Sequence, residues 1–148
     1  MKVLKSAVFL FLFISASVFA QGNFGLGIMV GEPTGLSFKY FMNSNNAIDG
    51  GVAWSFKRKA SLHIHADYLF HSYDLISVGS GKLPVYYGIG GRIRAAEDAE
   101  LGLRIPVGMS YIFPGNNVDI FVELVPVLDL IPETDFSFNG AIGVRYYF

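Results

Sequence analysis

No cysteine occurs among the 148 residues, which excludes a disulfide framework, thiolate chemistry and a lipid-modified cysteine anchor. Charge is scarce: only 16% of residues are Asp, Glu, Lys or Arg, and the formal net charge is −1. Without a basic excess, the electrostatic footprint of a nucleic-acid-binding protein is missing. After residue 20, no apolar run approaches the roughly 20 residues that a spanning helix requires. No linker, low-complexity tract or block of like charge marks a second domain. Apolar side chains are nevertheless abundant, at 52% of the chain with 16% aromatic. High apolar content without a long apolar run is what strands of alternating character produce.

The first residues form one short exception. Met1-Lys2-Val3-Leu4-Lys5 is a basic start, and Ala7 to Ala20 is apolar nearly throughout. Ser17-Val18-Phe19-Ala20 then places a small residue before Gln21. The run is too short for a membrane anchor and is read as an export signal, residues 1–20, cleaved after Ala20. The expected mature chain, residues 21–148, is long enough for one domain. Without Lys2 and Lys5 it carries nine basic against twelve acidic side chains, a charge of −3.

Turn residues divide that chain into eight alternating stretches. These run from Asn23 to Gly31, Gly35 to Met42, Ala47 to Phe56, Ser61 to His71, Leu83 to Arg94, Leu101 to Phe113, Val118 to Leu130, and Asp135 to Phe148. Glu32-Pro33-Thr34, Asn43-Ser44-Asn45-Asn46, Pro114-Gly115-Asn116-Asn117 and Pro132-Glu133-Thr134 are strong turns between them. The fourth stretch alternates most cleanly, with Leu62, Ile64, Ala66, Tyr68 and Phe70 opposing Ser61, His63, His65, Asp67 and His71. In the eighth, Phe136, Phe138, Ile142, Val144, Tyr146 and Phe148 oppose Asp135, Ser137, Asn139, Gly143, Arg145 and Tyr147. An even number of such strands, most of them about 9–11 residues long, predicts an all-β protein: an eight-stranded antiparallel up-and-down transmembrane β-barrel. The even-numbered strands end in Tyr40-Phe41, Tyr68-Leu69-Phe70, Tyr111-Ile112-Phe113 and Tyr146-Tyr147-Phe148. In that topology they form half of an aromatic girdle on the rim shared with the N-terminus. A chain closing on an aromatic resembles the assembly signal of bacterial outer-membrane proteins, with Tyr146 and Phe148 as its residues.

Periodicity alone leaves two orientations: apolar face toward lipid, or inward as in a soluble lipocalin-like carrier. Volume favours the first, because an eight-stranded interior is only just wide enough for its side chains. Phe, Tyr, Trp and Leu from every strand would overfill it, whereas Gly25, Gly27, Gly51, Gly88, Gly90, Gly108 and Gly143 lie on the other face. On this register the lumen receives Lys39, Arg92, Arg94, Arg104 and Arg145, together with Asp49, Asp67, Asp119, Glu123, Asp129 and Asp135. Five positive and six negative groups nearly cancel. A buried charge stripped of its partner costs about 3–5 kcal/mol, so a salt-bridged, closed lumen is expected ahead of a conducting pore.

His63, His65 and Asp67 share a face, but their stepwise spacing of about 7 Å is wide for one ion and the sequence identifies no further ligand. A luminal hydrogen-bond network is the plainer expectation, with no metal or other cofactor. The lipid-facing set offers no nucleophile and base of the kind a lipid-modifying barrel enzyme needs, so no catalysis is expected. Gly88-Ile89-Gly90-Gly91 precedes a strand and not a helix, unlike a phosphate loop. Lys57-Arg58-Lys59 is a solvated turn, or a contact for anionic lipid phosphates.

Several short motifs together resemble a small, largely uncharacterised outer-membrane barrel family of spirochaetes and Bacteroidetes-type bacteria. They are Gly31-Glu32-Pro33-Thr34-Gly35-Leu36-Ser37-Phe38-Lys39, Ala47-Ile48-Asp49, Tyr87-Gly88-Ile89-Gly90, Arg104-Ile105-Pro106-Val107-Gly108, Phe121-Val122-Glu123-Leu124-Val125-Pro126 and Gly143-Val144-Arg145-Tyr146-Tyr147-Phe148. The architecture is also similar to the membrane domain of OmpA-type proteins. The resemblance implies a barrel without catalytic residues. A structural or surface-interaction barrel, a narrow channel and a soluble carrier of an apolar ligand all remain open from sequence. The expected partners are outer-membrane lipid and the barrel assembly machinery, for a monomer that binds no nucleic acid.

Overall fold

The structure, a computed structural model, describes residues 22–55, 61–95, 97–115 and 117–148. The expected export signal and the Lys57-Arg58-Lys59 turn, with Phe56, lie outside the described residues. Nine strands follow in order: β1 (Phe24–Glu32), β2 (Thr34–Phe41), β3 (Asn46–Ser55), β4 (Ser61–Ser72), β5 (Val85–Ala95), β6 (Ala99–Arg104), β7 (Val107–Ile112), β8 (Val118–Ile131) and β9 (Asp135–Tyr147). All pairings are antiparallel, and they close on themselves. From β4 the order runs through β3, β2, β1, β9 and β8 to β6 and β7, then β5, which pairs again with β4. The seam between the first and last strands sets Gly25 opposite Tyr147 and Glu32 opposite Gly140.

One expected strand is divided. The stretch Leu101 to Phe113 becomes β6 and β7, each lying between β5 and β8. Pro106 has no N–H to give to the ladder, so the regular pattern lapses there. Alignment survives the lapse: Gly88 N donates to Pro106 O at 3.0 Å, and Ile105 N to Pro126 O at 3.0 Å. The two pieces therefore occupy one place in a ring of eight.

Alternation decides which side chains the ring encloses. Lys39, Asp49, Asp67, Arg92, Arg104, Asp119, Glu123, Asp129 and Arg145 are all buried. Outside, the large apolar side chains stand in the open, among them Val30 at 63% exposure, Ile142 at 61% and Phe136 at 59%. Among the buried apolar residues, Met29, Ala53 and Phe121 form a small cluster, with Ala141 against it. This inverts a soluble domain, whose exposed apolar patches are small and whose buried charges are few.

The two rims differ. At the rim carrying Phe24 and Tyr147, residues 73–84 join β4 to β5, the longest described connection. Lys82 pairs with Ile112 through the backbone, and the Tyr111 hydroxyl donates to Ser80 O at 2.9 Å, which pins the loop. Exposed aromatics pack along this rim: Phe70 stacks on Tyr87 at 5.6 Å, and Tyr146 meets Phe148 edge-on at 5.1 Å. At the far rim, Pro33 alone separates β1 from β2, and three residues separate β8 from β9.

Candidate functional site

The enclosed charges fall into three layers along the ring axis. Nearest the N-terminal rim, Arg145 Nε donates to Asp119 Oδ1 at 3.1 Å, and the Tyr147 hydroxyl donates to Asp119 Oδ2 at 2.7 Å. The register allows this because Asp119 on β8 lies directly opposite Arg145 on β9, while Tyr147 follows on the same face. The Arg145 guanidinium also lies 4.0 Å from the Phe121 ring centroid. Lys39 belongs to the same layer, but among the described residues its Nζ finds no hydrogen-bond partner. Its Nζ sits 4.6 Å from the Tyr86 centroid and 5.0 Å from that of Phe41, a desolvated cation held by aromatic faces.

In the middle layer, Arg104, the last residue of β6, grips Asp67 of β4. Its Nε donates to Oδ1 at 3.0 Å and Nη2 to Oδ2 at 3.0 Å, a two-pronged pairing that fixes both planes. Glu123 lies 3.8 Å from Arg104 Nη2 and accepts from the Tyr86 hydroxyl at 3.1 Å. Asp49 and His65 complete the layer. The third layer, toward the far rim, joins Arg92 to Asp129 through Nε at 3.1 Å and Nη2 at 2.6 Å. Beyond it Arg94 pairs with Glu100 and is partly open to solvent.

Among the ten residues read from sequence as a luminal ionic network, the structure brings Asp67, Arg92, Arg104, Asp119, Glu123, Asp129 and Arg145 into ion pairs within the ring. Arg94 pairs at its edge, and Lys39 and Asp49 are buried outside any ion pair among the described residues. Asp135, which the alternation also turned inward, is exposed. It is the first residue of β9 beside the β8–β9 turn, and there the opposing Asp129 is already held by Arg92. Of the expected assembly residues, Tyr146 and Phe148 lie exposed on the outer face of the N-terminal rim.

A cavity of about 10 Å³ lies between Glu32, His65, Arg104, Glu123 and Asn139, at the lower limit for one water molecule. A larger cavity of about 730 Å³ opens at the N-terminal rim, between the 73–84 loop and the Asn43-Ser44 turn. Phe41, Tyr73, Ile76, Val78, Lys82 and Tyr147 line it. Partial burial raises the Tyr73 phenol above its ordinary value. Sequence reading missed this cavity because the 73–84 segment carries no periodic signal.

The chain matches no family model and no curated protein. Among solved structures it is similar to the crystal structure of the N-terminal β-barrel domain of Pseudomonas aeruginosa OprF, with a TM-score of 0.61 and 15% identity. The alignment covers 84% of this chain and 95% of that one. At this identity the likeness concerns the fold alone: a closed antiparallel β architecture.

Proposed function

We propose that the chain is an eight-stranded transmembrane β-barrel of a bacterial outer membrane, exported with loss of residues 1–20. The single observation that carries this reading is the inverted surface. Nine charged side chains are buried inside the ring while the apolar face of every strand is exposed. Lipid is the solvent that makes such a surface stable, and a closed ring leaves no unpaired backbone edge within it. The likeness to the OprF β-barrel domain supports the barrel part of this reading. A soluble carrier of an apolar ligand would need the opposite orientation of both faces.

The ion-paired layers and the small interior cavity support a closed, rigid lumen over a channel. The role we assign is structural or surface interaction, without catalysis, in a monomer that contacts lipid and reaches the membrane through the barrel assembly machinery. On this reading the chain joins the spirochaete and Bacteroidetes-type family that its motifs resemble. The N-terminal rim, with its aromatic girdle and long loop, faces the periplasm. The test is membrane fractionation followed by electrophoresis with and without heating. A heat-modifiable band that stays with the outer membrane after salt and carbonate washing is expected; recovery as a soluble periplasmic protein overturns the reading. Single-channel recording in planar bilayers separates the closed lumen from a pore.

A further inference from the structure

A histidine and two carboxylates meet inside the ring where strand spacing alone does not bring them together. In the β3–β4 register Asp49 lies directly opposite Asp67, and Gly51 lies opposite His65. Gly51 matters here because a Cβ at that position would come within 2.7 Å of His65 Cε1. Its absence lets the imidazole lean across toward β3. One ligand atom from each of Asp49, His65 and Asp67 then lies within 4.8 Å of the others, and all three residues are more than nine-tenths buried.

Like charges directly opposite on neighbouring strands destabilise a sheet unless something compensates them. Arg104 compensates Asp67, with Nε shared between the two oxygens and Nη2 on Oδ2, which leaves Oδ1 with lone-pair capacity for a further partner. Asp49 gains no such partner. Lys39, its opposite on β2, directs its ammonium to the Tyr86 and Phe41 rings instead. Asp49 Oδ1 and His65 Nδ1 are buried and find no hydrogen-bond partner among the described residues. Among the described residues the count of buried charges agrees: Lys39, Arg92, Arg104 and Arg145 face Asp49, Asp67, Asp119, Glu123 and Asp129, one positive charge short.

We propose that Asp49, His65 and Asp67 bind a divalent transition-metal ion of the zinc class. One imidazole nitrogen with two carboxylate oxygens suits that class, leaving a fourth position for water. Arg104 then orients the Asp67 ligand from behind, as a carboxylate does for a ligating histidine in many metal sites. Because the site lies inside a closed ring, the ion enters as the strands come together. The proposal stands on side-chain geometry and does not rest on the membrane reading.

The test refolds the Gln21–Phe148 protein in detergent with Zn²⁺, removes loose ions by gel filtration over a chelator, and measures bound zinc by elemental analysis. About one zinc per folded chain is expected. The variants Asp49→Asn and His65→Gln should each lower it by ~10-fold or more, while His63→Ala retains it, since His63 lies outside the cluster. Folding of each variant is checked by heat-modifiability, which also scores the barrel reading separately. If a variant does not fold, Co²⁺ refolded into the unaltered protein supplies a visible absorption band, absent when the protein is refolded with an excess of Zn²⁺ over Co²⁺. Folded protein with less than about 0.3 zinc per chain overturns the proposal. So does zinc retained in full by folded His65→Gln.

Discussion

The inner and outer faces of the ring are built by the same strands from alternate residues, yet they answer to different rules. On the outer face Leu26, Ile28, Ile64, Ile89, Leu103, Leu124 and Ile142 present interchangeable apolar bulk. Any of them meets the same kind of surroundings, so identity matters less than polarity. On the inner face the fully buried arginines have assigned partners: Arg92 with Asp129, Arg104 with Asp67, Arg145 with Asp119. The contrast teaches that this chain's specificity is electrostatic and steric on the inside, while its outside is a solvent match.

The largest effect should come from the inner face. Arg104→Ala leaves Asp67 buried without its cation and should destabilise the fold by about 3–5 kcal/mol, read as a lower unfolding midpoint in detergent. Glu123→Ala should lower it less, since Arg104 keeps Asp67. No change in either variant would mean that the pairs do not hold the ring. Replacing Arg104 and Asp67 together by apolar residues of similar volume should recover much of the loss, because no orphaned ion remains.

Next comes a purely steric break. Gly90 faces inward against the Asp67 carboxylate and the Ala66 carbonyl, and a side chain there would collide with both. Gly90→Val should cost about 1–3 kcal/mol by the same measurement. A Val tolerated without loss would mean that the interior is looser than the contacts describe.

The outer face should respond more weakly in detergent. Phe148 is half exposed, with its N–H donating to Phe24 O at 2.8 Å and its ring against Tyr146. Phe148→Lys at a rim should cost only ~0–1 kcal/mol. We expect it, and Phe148→Ala to a lesser degree, to refold in vitro yet yield a small heat-modifiable fraction in cells. Normal assembly of both in cells removes the signal reading, and poor refolding in detergent makes the residue structural. Least of all, Leu103→Val should move the midpoint by less than about 0.5 kcal/mol.

Much of the fold was legible because period-two alternation is a strong signal and the turns are rich in Asn, Pro and Gly. Leu62 to His71 states its two faces without ambiguity. The division at Ile105-Pro106 was not read from the alternation, which runs on across Pro106 although its missing N–H interrupts the ladder. Direction was legible for Asp135 but depth was not: alternation turns the residue inward, and the stagger of the strands leaves it at an open end. Partner choice lay furthest out of reach. Arg92 and Asp129 are 37 positions apart, and only the register between strands says that they meet. The same limit hid Asp49 from His65, because spacing along β4 cannot reveal a neighbour on β3.

The seam between β1 and β9 has a consequence for how the molecule comes into being. Every other adjacency joins strands near in sequence, but this one pairs Leu26 with Tyr146 and requires the two extremities of the sheet to meet. Until they do, both strands carry an open edge of backbone donors and acceptors, a template for another chain as much as for each other. Closure of so long a loop is entropically costly and slow relative to hairpin formation. The vulnerable species is thus a nearly complete sheet with two free edges, and crowding by identical chains at that moment favours aggregation. Whatever shelters those edges acts as a chaperone of a single zippering step.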